Sequence, residues 1–284
     1  MGRIILADNM DVLPAMETGS VDLIYVDPPF NTGKLRQHTP LRTKQDPEGG
    51  DRVGFQGRRY RTERLQTRSF EDDFDDFLQF LAPRLREAHR LLAEDGSLFL
   101  HMDCREVHYC KLLLDRVFGR ESFMNELIWA YDFGGRSRSR WPAKHDNILW
   151  YARDPRNYTF NYAEMDRIPY MAPGLVSDEK ARRGKTPTDV WWHTIVPTNS
   201  RERTGYPTQK PLGVLERIVR VHSNPGDLLL DFFAGSGTLG EAAARLHRDF
   251  VLVDDNPEAA QVMAKRLAFA GPECVNFQPA TAGD

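Results

Sequence analysis

Four residues able to bind a ligand follow a short apolar run near the start of the sequence. Asp22–Val26 is predicted to be a buried strand, and Asp27, Pro28, Pro29 and Phe30 come directly after it. One interpretation is an Asx-Pro turn that simply ends the strand. The other is a ligand site, because two prolines lack N–H donors and leave carbonyl oxygens at the carboxyl edge of a sheet.

A glycine-rich turn late in the sequence is the second feature of this kind. Gly235, Gly237 and Gly240 satisfy G-x-G-x-x-G between the apolar run Leu228–Phe232 and a predicted helix. Glycine lets the backbone approach a ligand, and the start of the helix offers free N–H groups. Asp254, at the end of the next predicted strand, can accept hydrogen bonds from ribose hydroxyls. The pattern alone fits either an NAD oxidoreductase or a turn without a ligand.

The elements that must position these motifs predict an α/β fold. Short β-rich runs alternate with helical periodicity, which is typical of a mostly parallel sheet with helices on both faces. Helices are predicted at about 77–92, 212–222 and 259–270. The predicted strands are Arg3–Ala7, Asp22–Val26, Ser97–Met102, Asn147–Tyr151, Leu228–Phe232 and Phe250–Asp254. Only about 50 residues follow the glycine turn, so a Rossmann-like sheet requires a circularly permuted strand order, which argues against NAD.

Composition excludes several other classes. The 284 residues are 40% hydrophobic and 28% charged, an ordinary globular balance, and no apolar run approaches the roughly 18 residues of a membrane span. The N-terminus has no signal-peptide layout. The three cysteines form no Cys-x-x-Cys pair, so we expect no disulfide framework, no metal site and a cytoplasmic location.

Charge is unevenly distributed along the chain. The net charge is −3, yet residues 34–68 contain ten Lys/Arg and four Asp/Glu. The chain has 30 Arg and eight Lys. Arginine suits contacts with phosphate and guanine, although GC-rich codon usage explains the same bias.

Together, the two motifs resemble those of the S-adenosylmethionine-dependent DNA amino-methyltransferases. Asp27–Phe30 is similar to the catalytic motif and Phe233–Thr238 to the cofactor motif, and their order is that of the beta group of this family. The resemblance implies S-adenosylmethionine as cofactor, double-stranded DNA as partner, and methylation of adenine N6 or cytosine N4. It divides the chain into a catalytic half, 1–152, an inserted target-recognition region, 153–205, and a cofactor half, 206–284.

Further segments support the resemblance. Ile5–Leu13 resembles the opening strand, whose acid lies by the cofactor adenine, and Tyr206–Pro211 resembles the segment that closes over the methionine end. Phe250–Pro257 resembles the strand with the ribose-binding acid. The cofactor residues that the resemblance implies are Asp8, Lys210, Phe233, Ala234, Gly235, Ser236, Gly237, Thr238, Asp254 and Asn256.

The chemistry explains why the catalytic motif contains these residue types. The lone pair of an exocyclic amine is delocalised into the base. Asp27 and the Pro28 carbonyl can each accept a hydrogen bond from one of the two N–H groups of the amine, which localises the lone pair on the nitrogen. Phe30 offers a ring on which a base turned out of the duplex can stack. Family members often carry Tyr at this position. Asp rather than Ser in the first position favours adenine over cytosine. No cysteine follows a proline, which argues against carbon-5 cytosine enzymes.

Two arginine-rich segments are candidates for contact with DNA phosphates. A solvated tether and a flexible surface turn, respectively, are the alternatives. The first segment is the loop 31–69, with Lys34, Arg36, Arg58, Arg59 and Arg61; the second contains Arg136, Arg138 and Arg140. Trp191 and Trp192 are predicted to lie in the core, and His145 and His193 to be structural.

Other functions remain open at this stage. They are an RNA or other N-methyltransferase, an NAD oxidoreductase, and a DNA-binding module without activity. The last of these has no need for the Asp-Pro-Pro sequence at residues 27–29. A homodimer and a partner restriction endonuclease are implied by resemblance alone.

Overall fold

A computed structural model describes residues 1–29 and 77–280 in full, and between them the backbone of five short strands. The helices are α1 (Asn9–Val12), α2 (Phe77–Leu91), α3 (Val107–Phe118), α4 (Asp178–Arg183), α5 (Leu212–His222), α6 (Thr238–Arg245) and α7 (Pro257–Arg266). The strands are β1 (Gly2–Leu6), β2 (Val21–Val26), β3 (Arg36–His38), β4 (Leu41–Gln45), β5 (Arg52–Val53), β6 (Arg59–Arg64), β7 (Arg68–Phe70), β8 (Leu92–Met102), β9 (Phe123–Ala130), β10 (His145–Ala152), β11 (Val190–Trp192), β12 (Leu228–Asp231), β13 (Asp249–Asp254) and β14 (Glu273–Val275).

Nine of these strands form one sheet in the order β11-β9-β10-β8-β2-β12-β13-β1-β14. The pairs β2–β8, β2–β12, β12–β13, β13–β1, β1–β14 and β9–β11 are parallel, whereas β10 is antiparallel to both of its neighbours. Eight strands of this sheet therefore point in one direction. Their carboxyl ends share one edge, hereafter the carboxyl edge.

Helices cover both faces of the sheet because alternate strand residues are apolar on each side. Leu23 and Phe99 lie in one buried cluster with side chains of α5, α6 and α7. On the opposite face, the Tyr151 hydroxyl donates a hydrogen bond of 2.7 Å to Asp115 of α3, and Phe118 of α3 contacts His89 of α2. The predicted fold class, a Rossmann-like and mostly parallel sheet with permuted strand order, is confirmed.

The six predicted strands and three predicted helices all exist, with ends shifted by a few residues. The sequence analysis did not predict β9, β11, β14 or α3. In β9, Met124-Asn-Glu-Leu-Ile-Trp129 mixes polar and apolar residues without the alternation that marks a strand. This strand lies between β10 and β11. Its pairing with these two neighbours, rather than its residue pattern, makes it a strand.

Residues 29–77 form a separate compact unit. Its strands β4, β5 and β6 pair antiparallel in one small sheet, and β3 pairs with β7 in another. The expectation of a loop without regular structure over 31–69 is therefore wrong. Short antiparallel strands made of mixed polar residues carry little apolar periodicity, so the sequence pattern did not indicate them.

Candidate active site

The predicted site residues meet at the carboxyl ends of four adjacent strands, β2, β12, β13 and β1. Asp27 follows β2, the glycine turn follows β12, Asp254 ends β13, and Asp8 follows β1. The chain runs from β2 to β8 on one side and from β12 to β13 on the other, so the strand order reverses between β2 and β12. Ligands of open α/β sheets bind at such a reversal.

Asp27 is held by one partner and has one acceptor atom left over. Its Oδ2 forms an ion pair with Nζ of Lys210, and the two side chains are 16% and 9% exposed. The buried Oδ1 has no hydrogen-bond partner among the described residues. A buried acceptor without a partner is costly in a folded protein, and it is the expected state of a group that binds a donor from a ligand.

Lys210 connects the catalytic and cofactor motifs. Its carbonyl oxygen accepts a hydrogen bond of 3.2 Å from the Thr238 hydroxyl at the start of α6. Nearby, Gln209 accepts from the backbone N–H of Thr204 at 2.9 Å and donates to the Glu202 carbonyl at 2.8 Å, which fixes the segment before α5. The Tyr206–Pro211 segment therefore lies against the start of α6 and, through Lys210, against Asp27.

The glycine turn has the backbone conformation that the motif predicts. Gly235 and Gly237 have φ values of +49° and +73°, in the left-handed region that favours glycine. A Cβ on Gly237 would lie 2.8 Å from Cγ of Met263. Arg266 of α7 braces the turn by donating hydrogen bonds to the Thr238 hydroxyl at 2.9 Å and the Ser236 carbonyl at 3.2 Å.

Asp254 is bound to the same turn. Its Oδ2 accepts a hydrogen bond of 2.8 Å from the Gly235 N–H, and its Oδ1 accepts one of 3.0 Å from Asn256. Burial raises the pKa of its carboxyl to about 6, although these two hydrogen bonds oppose the shift. Each carboxylate oxygen has a second lone pair, so Asp254 can still accept hydrogen bonds from a ligand.

The acid of the opening strand lies beside Asp254. The Ala7 N–H donates to the Asp254 carbonyl at 3.1 Å, which places Asp8 next to the end of β13. The Asp8 side chain is about half exposed and caps α1 by accepting from the Met10 N–H. The glycine turn thus lies near two acids, Asp254 and Asp8, and Asp8 is exposed to solvent. This arrangement fits the adenosine part of S-adenosylmethionine.

Several residues that the sequence analysis did not single out support this arrangement. Asn9 donates from Nδ2 to the Phe232 carbonyl at 2.9 Å and accepts from Arg84 at 2.7 Å, which ties β1 to β12. Asp231 is fully buried, and burial followed by the charges of Asp27 and Asp254 raises its pKa well above the ordinary value. In the sequence, Asn9 and Asp231 are recognisable only as polar residues near the end of a strand. Many ordinary turns have the same pattern, so it does not mark these two as site residues.

Part of the predicted site lies outside the described residues. This applies to Phe30, Lys34 and Arg58, and to the side chains of Arg36, Arg59 and Arg61. Arg136, Arg138 and Arg140 are described and exposed. They lie in the connection from β9 to β10, which begins and ends at the carboxyl edge.

The two tryptophans of β11 point to opposite faces. Trp191 is buried at 8% exposure in the core, with the Arg217 guanidinium over its ring at 4.8 Å. Trp192 is 75% exposed, so its predicted place in the core is wrong. Adjacent strand residues alternate in direction, and only one of the two can face the core. The His193 ring packs closely against Gly213, and a Cβ on that glycine would lie 2.6 Å from Cε1 of the ring.

Fold and site together define the class of the protein. It is an α/β protein whose glycine turn is shaped to hold a nucleotide-like cofactor, beside a carboxylate able to hold an amine. The model of the DNA methylase family, N6- and N4-specific, matches residues 21–266, and the chain belongs to this family. The class of S-adenosylmethionine-dependent DNA amino-methyltransferases, predicted from the motifs, is confirmed.

Relatives and solved structures agree with this family. The type II methyltransferase M.HpaI of Haemophilus parainfluenzae is 30% identical over 93% of this chain and 74% of its own. The DNA adenine methyltransferase YhdJ of Escherichia coli strain K12 is 29% identical over 94% of this chain and 83% of its own. The crystal structure of M1.HpyAVI with S-adenosylmethionine has the same fold, with a TM-score of 0.59, 20% identity, and coverage of 94% of this chain and 99% of that one.

Proposed function

We propose that this enzyme methylates N6 of adenine in double-stranded DNA, with Asp27 as the residue that binds the target amine. The observation that carries this proposal is the buried Oδ1 of Asp27, which has no partner among the described residues. It lies at the strand-order reversal, next to the glycine turn, where an amine and the cofactor methyl group can meet. Adenine is favoured over cytosine by Asp in the first position of the motif, and a similar relative is an adenine enzyme.

The acceptors of the motif make the amine reactive. Asp27 Oδ1 and the Pro28 carbonyl accept hydrogen bonds from the two N–H groups of the target amine. These bonds turn the nitrogen lone pair out of conjugation with the ring. S-adenosylmethionine, when bound, supplies an electrophilic methyl group on a sulfonium. A nitrogen that takes up this methyl group would gain positive charge, and its hydrogen bond to the Asp27 carboxylate would strengthen. The methylated nitrogen then releases one proton, and because it is strongly acidic no dedicated base is required.

The cofactor residues keep the roles that the resemblance implies. We assign Asp254 to the ribose hydroxyls, Asp8 to the adenine, the Tyr206–Pro211 segment to the methionine end, and Phe233–Thr238 to the glycine turn against which the cofactor lies. Asn256 orients Asp254 through its backbone N–H. Lys210 stands between the cofactor segment and Asp27, so it contributes to both halves of the site.

DNA binding is assigned to the exposed arginines at the carboxyl edge. Arg136, Arg138 and Arg140 alternate with glycine and serine on the connection from β9 to β10. Short neighbours leave each guanidinium free to reach a phosphate. The basic residues of the 31–69 segment, Lys34, Arg36, Arg58, Arg59 and Arg61, are proposed to contribute further phosphate contacts, and Phe30 to stack on the extruded base.

The biological setting is proposed from the relatives. M.HpaI is a type II methyltransferase, so we infer that this protein protects cellular DNA beside a cognate restriction endonuclease. No helix in the described parts of the chain combines the length and apolar character that a membrane span requires. We propose that the enzyme works in the cytoplasm and forms a homodimer.

Mass spectrometry of nucleosides tests the proposal directly. DNA from a methylation-deficient host is incubated with the protein and S-adenosylmethionine labelled with deuterium in the methyl group. Labelled N6-methyladenine is the expected product. Labelled N4-methylcytosine would overturn the choice of base, and label in RNA but not in DNA would overturn the substrate.

A further inference from the structure

Four polar side chains from adjacent strand ends form one chain of hydrogen bonds next to Asp27. We name Tyr25, His101, Asp146 and Tyr131 the edge network. The Tyr25 hydroxyl lies 2.6 Å from Nδ1 of His101, and Nε2 of His101 lies 3.2 Å from Oδ2 of Asp146. The Tyr131 hydroxyl donates to Oδ1 of Asp146 at 3.1 Å. The network therefore links β2, β8 and β10 with the residue that follows β9.

This network is buried where apolar side chains would be less costly. Tyr25, His101 and Asp146 are 2%, 0% and 8% exposed. A buried ionisable group stabilises a fold less than apolar side chains of the same volume, so a fold alone does not require it. Two residues further into the sheet, the same faces carry only apolar side chains. These are Leu23, Phe99 and Ile148.

Charge connects the edge network to the candidate catalytic pair. Tyr25 and Asp27 are two residues apart at the end of β2, and the charge of Asp27 adds to burial in raising the pKa of the Tyr25 hydroxyl. Burial opposes ionisation of Asp146, yet its hydrogen bond from His101 and the positive charge of Lys210 hold the pKa of its carboxyl below the ordinary value. The geometric link is the hydrogen-bonded chain itself, which ends on Tyr25, two residues before Asp27.

We propose that His101 and Asp146 are positioning residues for methyl transfer. Asp146 orients His101, and His101 holds the Tyr25 hydroxyl, so the network fixes the end of β2 from which Asp27 follows and keeps Oδ1 placed as the acceptor for the target amine. The proposal rests on the assigned role of Asp27. It predicts that loss of the Asp146 carboxylate loosens His101 and Tyr25 and misaligns Asp27, while the cofactor motif on the other side of the site is unaffected.

Steady-state and binding measurements on four variants test the proposal. Asp146→Asn keeps the shape and removes the charge, and His101→Leu removes both ring nitrogens. We expect each to lower kcat about 10- to 100-fold, as loss of a hydrogen bond to a charged group does, with the dissociation constant of S-adenosylmethionine within about twofold of wild type. His101→Gln retains a donor and an acceptor, so it is expected to recover most of the lost kcat.

His222 provides the matched control. It is also buried, on the same face, with its ring 4.8 Å from Phe99 and 4.4 Å from Trp150, and it lies at the end of α5 away from Asp27. His222→Gln is expected to change thermal stability but not kcat.

The outcomes separate this proposal from the proposed function. Wild-type kcat in both Asp146→Asn and His101→Leu would overturn the positioning role, as would a failure of His101→Gln to recover kcat above His101→Leu. If Asp27→Ala methylates DNA at the normal rate, the role of Asp27 is wrong, and with it the premise of this inference. If Asp27→Ala is inactive and the two network variants are active, only the inference is wrong.

Discussion

At the residue scale, two carboxylates of the same site are held in different electrostatic states. Asp27 shares Oδ2 with the Lys210 ammonium and leaves Oδ1 without a partner among the described residues. Asp254 has no ammonium partner in the part of the chain that is described, and burial raises its pKa to about 6. The first environment suits an acceptor for an amine on which positive charge develops. The second suits a group that binds neutral hydroxyls.

Replacement of Asp27 tests the first role. We expect Asp27→Ala to abolish methyl transfer, and Asp27→Asn to lower kcat by at least about 100-fold, because the charge that stabilises the reacting amine is lost. The affinity for S-adenosylmethionine should stay within about twofold of wild type in both variants. Single-turnover kinetics and isothermal titration calorimetry measure the two quantities.

Asp22 is the control for this prediction, since it lies on the same strand at the opposite edge. It accepts a hydrogen bond of 2.7 Å from the Leu228 N–H. Asp22→Asn should leave turnover at the wild-type level. Near-normal turnover in Asp27→Asn would contradict the mechanism.

The pKa of Asp254 predicts how cofactor binding depends on pH. Below about pH 6 the carboxyl gains a proton and loses acceptor capacity, so the dissociation constant of S-adenosylmethionine should rise by up to about tenfold per pH unit. Stability changes in the opposite sense. Because folding raises the pKa of Asp254, the folded state binds this proton more readily than the unfolded state does. The free energy of unfolding therefore increases as the pH falls from about 6 toward the ordinary pKa of an aspartate.

Asp254→Asn should bind the cofactor more weakly at pH 7.5 and show little dependence on pH between 5 and 7, as measured by titration calorimetry. Asp255, the exposed neighbouring acid, is the matched control. Asp255→Asn should bind as wild type does at pH 7.5, and because the charge of Asp255 helps to raise the pKa of Asp254, its pH profile should shift to lower pH rather than flatten. Equal affinities of wild type and Asp254→Asn at pH 7.5 would refute the ribose assignment.

At the element scale, the turn between β12 and α6 depends on two separate demands on Gly237. Its φ of +73° disfavours any L side chain, and a Cβ would contact Met263. We expect Gly237→Ala to lose about 1–2 kcal/mol from the backbone conformation alone, with a further loss from the contact. The dissociation constant of S-adenosylmethionine should also rise, because the turn to which we assign cofactor binding shifts.

Gly226 isolates the backbone contribution. Its φ is +94°, and a Cβ there would meet nothing within 4 Å. Gly226→Ala should lose stability in thermal unfolding without loss of cofactor affinity. If Gly237→Ala binds the cofactor as tightly as Gly226→Ala does, the turn does not contact the cofactor as assigned.

The elements also show what the sequence can predict. Strands β1, β2, β12 and β13 were predictable because each is a buried apolar run that ends in a functional acid or turn. The edge network was not, since Tyr25 and His101 are 76 positions apart in the sequence, His101 and Asp146 are 45 apart, and only strand pairing brings them together. Lys210 was predicted as a cofactor residue from its motif, but its ion pair with Asp27 depends on a fold in which residues 183 positions apart meet.

At the scale of the whole molecule, the position of the charges along the edges of the sheet is more informative about DNA binding than the net charge. The net charge of −3 gives no sign of a DNA-binding protein, yet three exposed arginines lie on one connection at the carboxyl edge. Replacement of Arg136, Arg138 and Arg140 by Gln should reduce the slope of log K against log salt by up to about 3, since each phosphate contact contributes about 0.9. Fluorescence anisotropy with a labelled duplex at several salt concentrations measures the slope.

Arginines at the opposite edge are the control. Arg3 lies near the start of β1, and Arg116 and Arg120 lie near the end of α3, which leads into the start of β9. All three are exposed. Their joint replacement by Gln removes the same charge and should leave the slope unchanged. An equal decrease in both triple variants would indicate general electrostatic attraction rather than contact at the carboxyl edge.

The pairing of β1 has a consequence for how the enzyme is made. Gly2–Leu6 lies between β13 and β14, so its partners in the sheet follow roughly 250 residues later in the chain. At 5–20 residues per second, a ribosome needs about 12 to 50 seconds to synthesise that interval. During this time the first strand has no neighbours to pair with. The nascent polypeptide therefore cannot complete this sheet before the late strands emerge and enclose the earliest one.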